Sequence, residues 1–320
     1  MKAIVYEKYG PPEVLQLREI EKPVPKENEV LVKIKAASVN PLDWHFMRAD
    51  PFLMRFVSGL NRPKEKILGA DIAGQVEAAG KNVKQFQAGD EVYGEVTHGG
   101  FAEYVCVSEE RLEKKPANLY FEEAAAVPVA AITALQCLRD QAQIKSGQKI
   151  LINGASCGVG TFAVQLAAYY GAEVTGVCST PNSDMVRAIG ADKVIDYTQN
   201  DFTKSDKIYD IILDNIGNRS LAEVKRILAG NGIFLLNGYS PLLMIKIALR
   251  PKALNSKGQI IRSADVAQVN QKDLQFLTKL LEAGNIKPVI DRSYSLNEVP
   301  QAVGYLEKGH AQGKVVITIS

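Results

Sequence analysis

Lys149-Ile150-Leu151-Ile152-Asn153-Gly154-Ala155-Ser156-Cys157-Gly158-Val159-Gly160-Thr161-Phe162-Ala163 runs from a short apolar stretch through a glycine-rich turn into a helical pattern. Lys149 to Asn153 reads as a buried strand, and Val159, Phe162, Ala163, Leu166, Ala167 and Tyr170 then recur at the spacing of one helix face. Gly171 ends that helix as a C-terminal cap. Between them, Gly154, Ala155, Ser156, Cys157, Gly158, Val159 and Gly160 are mostly small. Such a turn lets a pyrophosphate approach main-chain N–H groups at the helix N-terminus and lets helix and strand pack closely. A glycine string alone says little; its position between strand and helix gives it meaning.

The same rhythm continues downstream. Strands are expected at 173–178, 193–196, 210–214, 232–236 and 259–262, and helices at about 183–189, ended by Gly190, and 220–228, ended near Gly230. Strands alternating with helices of this size imply βαβ units and a doubly wound parallel sheet. Upstream, Val30 to Ala36 alternates in polarity, and Ile72 to Val76, Glu91 to Tyr93 and Phe101 to Val107 are further strand-like runs punctuated by glycines, as in a mostly antiparallel barrel. A helix at Leu274 to Ala283 and a strand at Lys314 to Ile319 close the chain. The expectation is an α/β protein of two domains: a β-rich domain at 1–121, completed by about 267–320, and a nucleotide-binding domain at 122–266.

Composition narrows the function. Apolar residues make up 46% of the 320 positions, and 38 Lys plus Arg nearly balance 36 Asp plus Glu, so no basic stripe points to nucleic acid. Cys106, Cys137, Cys157 and Cys178 stand singly, which suits a reducing compartment. Met1 leads directly into strand-like Ala3 to Tyr6, and Ala124 to Leu135 is too short to span a bilayer; a cytoplasmic protein without membrane insertion is expected. Dinucleotide folds that prefer NAD place an acid at the end of the second strand. Here that bend is Ser179-Thr180-Pro181-Asn182-Ser183, so NADPH is the expected cofactor, with Ser179 available to the 2′-phosphate.

With these residues in view, the chain resembles the zinc-free quinone oxidoreductase branch of the medium-chain dehydrogenase/reductase superfamily, the group that includes zeta-crystallin. The resemblance spans nearly the whole sequence: Met1-Lys2-Ala3, Ala37-Ser38-Val39-Asn40-Pro41-Leu42-Asp43, Gly69-Ala70-Asp71-Ile72-Ala73-Gly74, Gly89-Asp90-Glu91-Val92, Gly100-Phe101-Ala102-Glu103-Tyr104, the glycine turn, Gly190-Ala191-Asp192 and Gly313-Lys314-Val315-Val316. It implies a GroES-like catalytic domain and a Rossmann domain with the active site in the cleft between them. It also implies Asn40 and Asp43 near the substrate, Thr133 under the nicotinamide, and Tyr197, Asn215, Gly217, Asn237 and Lys314 along the cofactor. Relatives commonly dimerise through the edge strands of their nucleotide sheets, and Gln259-Ile260-Ile261-Arg262 is the apolar candidate for a homodimer. The sequence departs from the pattern at Cys157, where relatives carry a smaller residue, and at Pro181, where NADPH-preferring relatives place Lys or Arg.

Zinc alcohol dehydrogenases hold their metal with Cys, His and Cys. Asn40 stands at the first ligand position and Ala70-Asp71 at the second, with no cysteine between 126 and 133, so no metal is expected. Without a Lewis acid the fitting reaction is hydride transfer to an acceptor that is already electron-poor, a quinone or an enone. A 2-enoyl thioester reductase and a non-catalytic NADPH-binding protein, crystallin-like or RNA-associated, are the alternatives. Asn40 and Asp43 also admit a plainer reading as turn formers. The apolar stretches 51–57 and 241–249 suggest a lid or pocket wall.

Overall fold

A computed structural model describes residues 1–249 and 258–320. The chain divides into two compact units, one of Met1–Ile132 with Val269–Ser320 and another of Thr133–Gln268. Among the described residues the strands, in chain order, are β1 (Lys2–Val5), β2 (Gln16–Glu19), β3 (Glu29–Val39), β4 (Asp71–Ala79), β5 (Glu91–Glu95), β6 (Tyr104–Ser108) and β7 (Leu112–Lys114). Then come β8 (Lys149–Asn153), β9 (Glu173–Cys178), β10 (Lys193–Asp196), β11 (Tyr209–Asp214), β12 (Leu228–Leu236), β13 (Ile260–Ser263), β14 (Ile290–Ser295) and β15 (Lys314–Thr318).

In the first unit one sheet runs β14-β15-β3-β4-β5-β7, with β6 also paired to β3, and β1 pairs with β2 separately. All of these pairs are antiparallel except β14 with β15. Long β3 is the spine: Val30, Val32 and Ile34 face a core shared with Ile72, Val92 and Val315. Burying such side chains contributes about 1.5–3 kcal/mol each before the opposing chain entropy is subtracted. The register sets the site, because Ser38 lies opposite Asp71 and Val39 opposite Val315. The strand expected at Phe101 starts later, at Tyr104. Phe101 and Glu103 instead exchange backbone hydrogen bonds with β1, through Ile4 and Lys2.

The second unit is a parallel sheet ordered β10-β9-β8-β11-β12-β13. The order reverses between β8 and β11, and in such sheets ligands bind beyond the carboxyl ends of the strands at that point. Leu151, Val177, Ile212 and Phe234 from the sheet pack with Val224 and Ile227 of the helix Leu221–Ile227. That helix ends earlier than its sequence suggests. Leu228 is already extended, with ψ 132°, and β12 starts there, carrying Gly230 and Gly232 within the strand. The glycine turn leads into the helix Gly158–Tyr169, where Gly160 admits no side chain because a Cβ would sit 2.0 Å from the Gly154 carbonyl oxygen. The helix Gln271–Glu282 starts before the apolar pattern does, because the Asn270 side chain caps it by accepting from Asp273 N–H.

Candidate active site

In the second unit the expected cofactor residues fall at the carboxyl ends of neighbouring strands. Gly154 follows β8 with φ +78°, and Ala155 is buried while Ser156, Cys157, Gly158 and Val159 are half-exposed. The Cys157 thiol does not stand idle: Sγ accepts the Gly160 N–H at 3.3 Å and caps the helix. Ser179 follows β9, and Asn182 bridges it to the glycine turn, donating through Nδ2 to Ser156 Oγ at 3.1 Å and to Ser179 Oγ at 3.2 Å. Asn215 and Gly217 follow β11, and Asn237 follows β12 and donates to Asn215 Oδ1 at 2.7 Å. Tyr197 follows β10 and is exposed, its N–H bonded to the Cys178 carbonyl that ends β9.

Two residues that order these ends do not stand out in the sequence. Asp214, the last residue of β11, is buried and accepts from Asn153 Nδ2 and from the N–H groups of Ile216 and Gly217 at 2.8–3.0 Å. The Asp-x-x-Gly spacing of this turn is the signal that would have found it. Asn182 is the other. Its Oδ1 and Asn215 Nδ2 are buried without a hydrogen-bond partner, one acceptor and one donor beyond the carboxyl ends of β9 and β11. Buried polar atoms left unmatched cost free energy, so a ligand with hydroxyl and amide groups fits them.

Sequence reading missed one acid in this unit. Residues 179–183 hold none, but Asp196 at the end of β10 accepts from the Thr180 hydroxyl across the sheet. Thr198 N–H and Oγ1 and Gln199 Nε2 also donate to it, and these bonds hold its carboxyl below the usual range. A carboxylate therefore stands beside the bend after all, with its charge matched by several donors.

The first unit holds a different cluster. Asn40 ends the extended run of β3 and precedes the helix Pro41–Arg48, which Pro41 starts at its first turn. Asp43 is buried, accepting from Asn40 N–H at 2.7 Å and from Gly69 N–H at 2.9 Å. It is thus both a helix cap and a tie to the loop before β4. Burial pushes the Asp43 carboxyl up to about 7, against the lowering effect of the two N–H groups. Beside it, Asp71 accepts from Ser38 Oγ at 2.8 Å, Asn40 Nδ2 at 2.9 Å, Lys314 Nζ at 3.2 Å and Val129 N–H at 2.9 Å. Lys314 Nζ also donates to Asn40 Oδ1 at 2.7 Å. Asp71, Asn40 and Lys314 are all at most 3% exposed. Lys314 therefore groups with Asn40, a residue expected near the substrate. Thr133 lies half-buried in the helix Pro128–Leu135.

The raised Asp43 value gives a pH prediction. A carboxyl whose folded value exceeds its unfolded value contributes stability that is present below about 4 and lost as pH rises through about 7. Relative to Asp43→Asn, which does not titrate there, the wild type should be about 2–3 kcal/mol less favoured at pH 8 than at pH 5. Urea unfolding of both proteins at the two pH values measures this, and a pH-independent difference would exclude it.

Comparison with known proteins places the chain in a family. The description "Alcohol dehydrogenase GroES-like domain" matches residues 26–117, and "Zinc-binding dehydrogenase" matches 189–317. The tomato 2-methylene-furan-3-one reductase is 37% identical, the alignment covering 99% of this chain and 79% of the relative. Mouse mitochondrial NAD(P)H oxidoreductase RTN4IP1 is 36% identical over 100% of this chain and 89% of its own length. The chain belongs to the medium-chain dehydrogenase/reductase superfamily. Within that superfamily its structure is similar to Escherichia coli quinone oxidoreductase solved with NADPH, with TM-score 0.85 and 25% identity over 99% of this chain and 100% of that one. As a member of this superfamily the protein is an oxidoreductase, built from a GroES-like domain and a Rossmann-like parallel sheet. No helix among the described residues is long and apolar enough to cross a membrane.

Proposed function

We propose that the protein uses NADPH to reduce quinones or other α,β-unsaturated carbonyl compounds without zinc. The observation that carries this reading is the buried Lys314 ammonium, 2.7 Å from Asn40 Oδ1 and 3.2 Å from Asp71. In zinc relatives the first metal ligand stands at the position of Asn40. An ammonium in that place repels a dication, and an amide oxygen already bonded to it is a poor ligand. The names of the tomato and Escherichia coli relatives, an enone reductase and a quinone oxidoreductase, support the substrate class.

The cofactor would be held by the turn Gly154–Gly160, by Ser179 and Tyr197 near the adenosine, and by Asn215, Gly217 and Asn237 at the ends of β11 and β12. Asn182 Oδ1 and Asn215 Nδ2 supply the unmatched acceptor and donor. When bound, the nicotinamide supplies a hydride. Asn40 then gives its carboxamide N–H to the acceptor's carbonyl oxygen as negative charge gathers there, which is how a positioned donor lowers such a barrier. We further place Gln259–Arg262, at the end of the sheet order, as the pairing edge of a homodimer in the cytosol. Ile260 is exposed there, and no disulfide joins the cysteines among the described residues.

Steady-state turnover tests the reading. NADPH oxidation should proceed with quinones and enones, rise with the acceptor's apolar bulk, survive exhaustive chelation and leave ethanol untouched. Fluorescence titration should give a lower Kd for NADPH than for NADH, by about tenfold or less because Asp196 stands near the bend and Pro181 supplies no cation. Asp196→Asn should widen that gap. Ethanol oxidation restored by zinc, or tighter NADH binding, would overturn the corresponding part.

A further inference from the structure

The Asn40 carboxamide is held at both ends. Its Oδ1 accepts from Lys314 Nζ and its Nδ2 donates to Asp71 Oδ2, at 2.7 and 2.9 Å. Flipping the amide would set an NH₂ group against an ammonium and an oxygen against a carboxylate, so only one orientation satisfies both neighbours. The register explains how the chain achieves this. Val39 of β3 lies opposite Val315 of β15 in an antiparallel pair, which sets Asn40 across from Lys314, and Ser38 lies opposite Asp71.

A buried ion pair is a weak source of stability by itself, because desolvation offsets most of the attraction. This one has Asp71 Oδ2 shared among Ser38, Asn40 and Lys314, while Oδ1 takes the Val129 N–H. The pair is directed at a single amide. An ammonium on the amide oxygen draws electron density from nitrogen and strengthens the N–H as a donor, as hydrogen bonds in series polarise one another. Nδ2 has two hydrogens, one of which goes to Asp71.

We infer that Lys314 and Asp71 are positioning residues that lock and polarise the Asn40 carboxamide, so that its second N–H is presented to the acceptor oxygen of the substrate. The inference rests on the proposed role of Asn40 and deepens it: the charge that offsets the developing oxyanion originates at Lys314, one amide away.

The test compares Lys314→Met, Lys314→Arg, Asp71→Asn and the double variant Asp71→Asn/Lys314→Met, with two readouts. In protein labelled with ¹⁵N at asparagine, without substrate, the Asn40 side-chain N–H signals should shift and exchange faster in Lys314→Met, in Asp71→Asn and in the double variant. In turnover, Lys314→Met should lower kcat about tenfold or more at unchanged NADPH Kd, with Lys314→Arg recovering part of the loss. The double variant, which leaves no unpaired buried charge, should regain melting temperature over the singles and stay slow. Recovered stability together with full kcat would make the pair merely structural and overturn the inference. A raised NADPH Kd at unchanged kcat would make Lys314 a cofactor contact and also overturn it. If the wild type turns over no quinone or enone, the functional reading fails separately, and the Asn40 signals still decide whether the pair locks the amide.

Discussion

Gly160→Val should abolish NADPH binding and lower unfolding free energy by roughly 3 kcal/mol. A Cβ at this position would stand 2.0 Å from the Gly154 oxygen and 2.9 Å from the Ala155 carbonyl carbon, both backbone atoms that no rotamer change can move. Relief requires the helix Gly158–Tyr169 to draw away from β8. Eight consecutive residues of that helix, Gly160 to Ala167, are buried, so the shift also opens the core of the second unit. The same shift displaces the Gly160 N–H from Cys157 Sγ and spoils the turn meant to receive a pyrophosphate. Calorimetry and fluorescence titration read the two effects. A variant that melts with the wild type and binds NADPH as tightly would show that this contact is not a constraint.

Asn40→Ala should reduce kcat about 100-fold while changing the NADPH Kd little, the magnitude expected when one positioned donor to a developing oxyanion is removed. The substitution also takes a partner from Lys314, which keeps Asp71 at 3.2 Å, so the ammonium is not left alone. Asn40→Asp separates geometry from charge. It preserves the shape but offers no N–H and adds a carboxyl beside Asp71, and it should be at least as slow as the alanine variant. Unchanged turnover in both across a panel of quinones and enones would remove Asn40 from the chemistry and leave it the turn former that Asn-Pro also suggests.

The two units were not equally legible in the sequence. The nucleotide half writes its fold locally: a strand, a glycine turn and a helix face lie within about twenty residues, and the parallel sheet repeats that unit. Misreadings there were at edges. Gly230 looks like a helix stop, yet Leu228 already pairs with Tyr209, because a strand slot beside β11 outweighs a glycine's turn preference. The first unit hides its cluster. Nothing local in the sequence links Asp71 to Lys314, residues separated by 243 positions. Only the registers of β4 with β3 and of β3 with β15 bring them to Asn40. Asp196 was missed for the same reason, reaching Thr180 through the β9–β10 pairing.

The most direct measurement follows the hydride itself. NADPH deuterated at nicotinamide C4, in each of the two stereochemical forms, is mixed with metal-depleted protein and an aryl enone, and the reduced product is analysed by mass and NMR. One of the two forms should place a single deuterium on the product's β-carbon, with the α-hydrogen drawn from solvent and a primary isotope effect on turnover. A product free of cofactor-derived deuterium, or turnover that appears only when zinc is returned, would contradict metal-free hydride transfer by this protein.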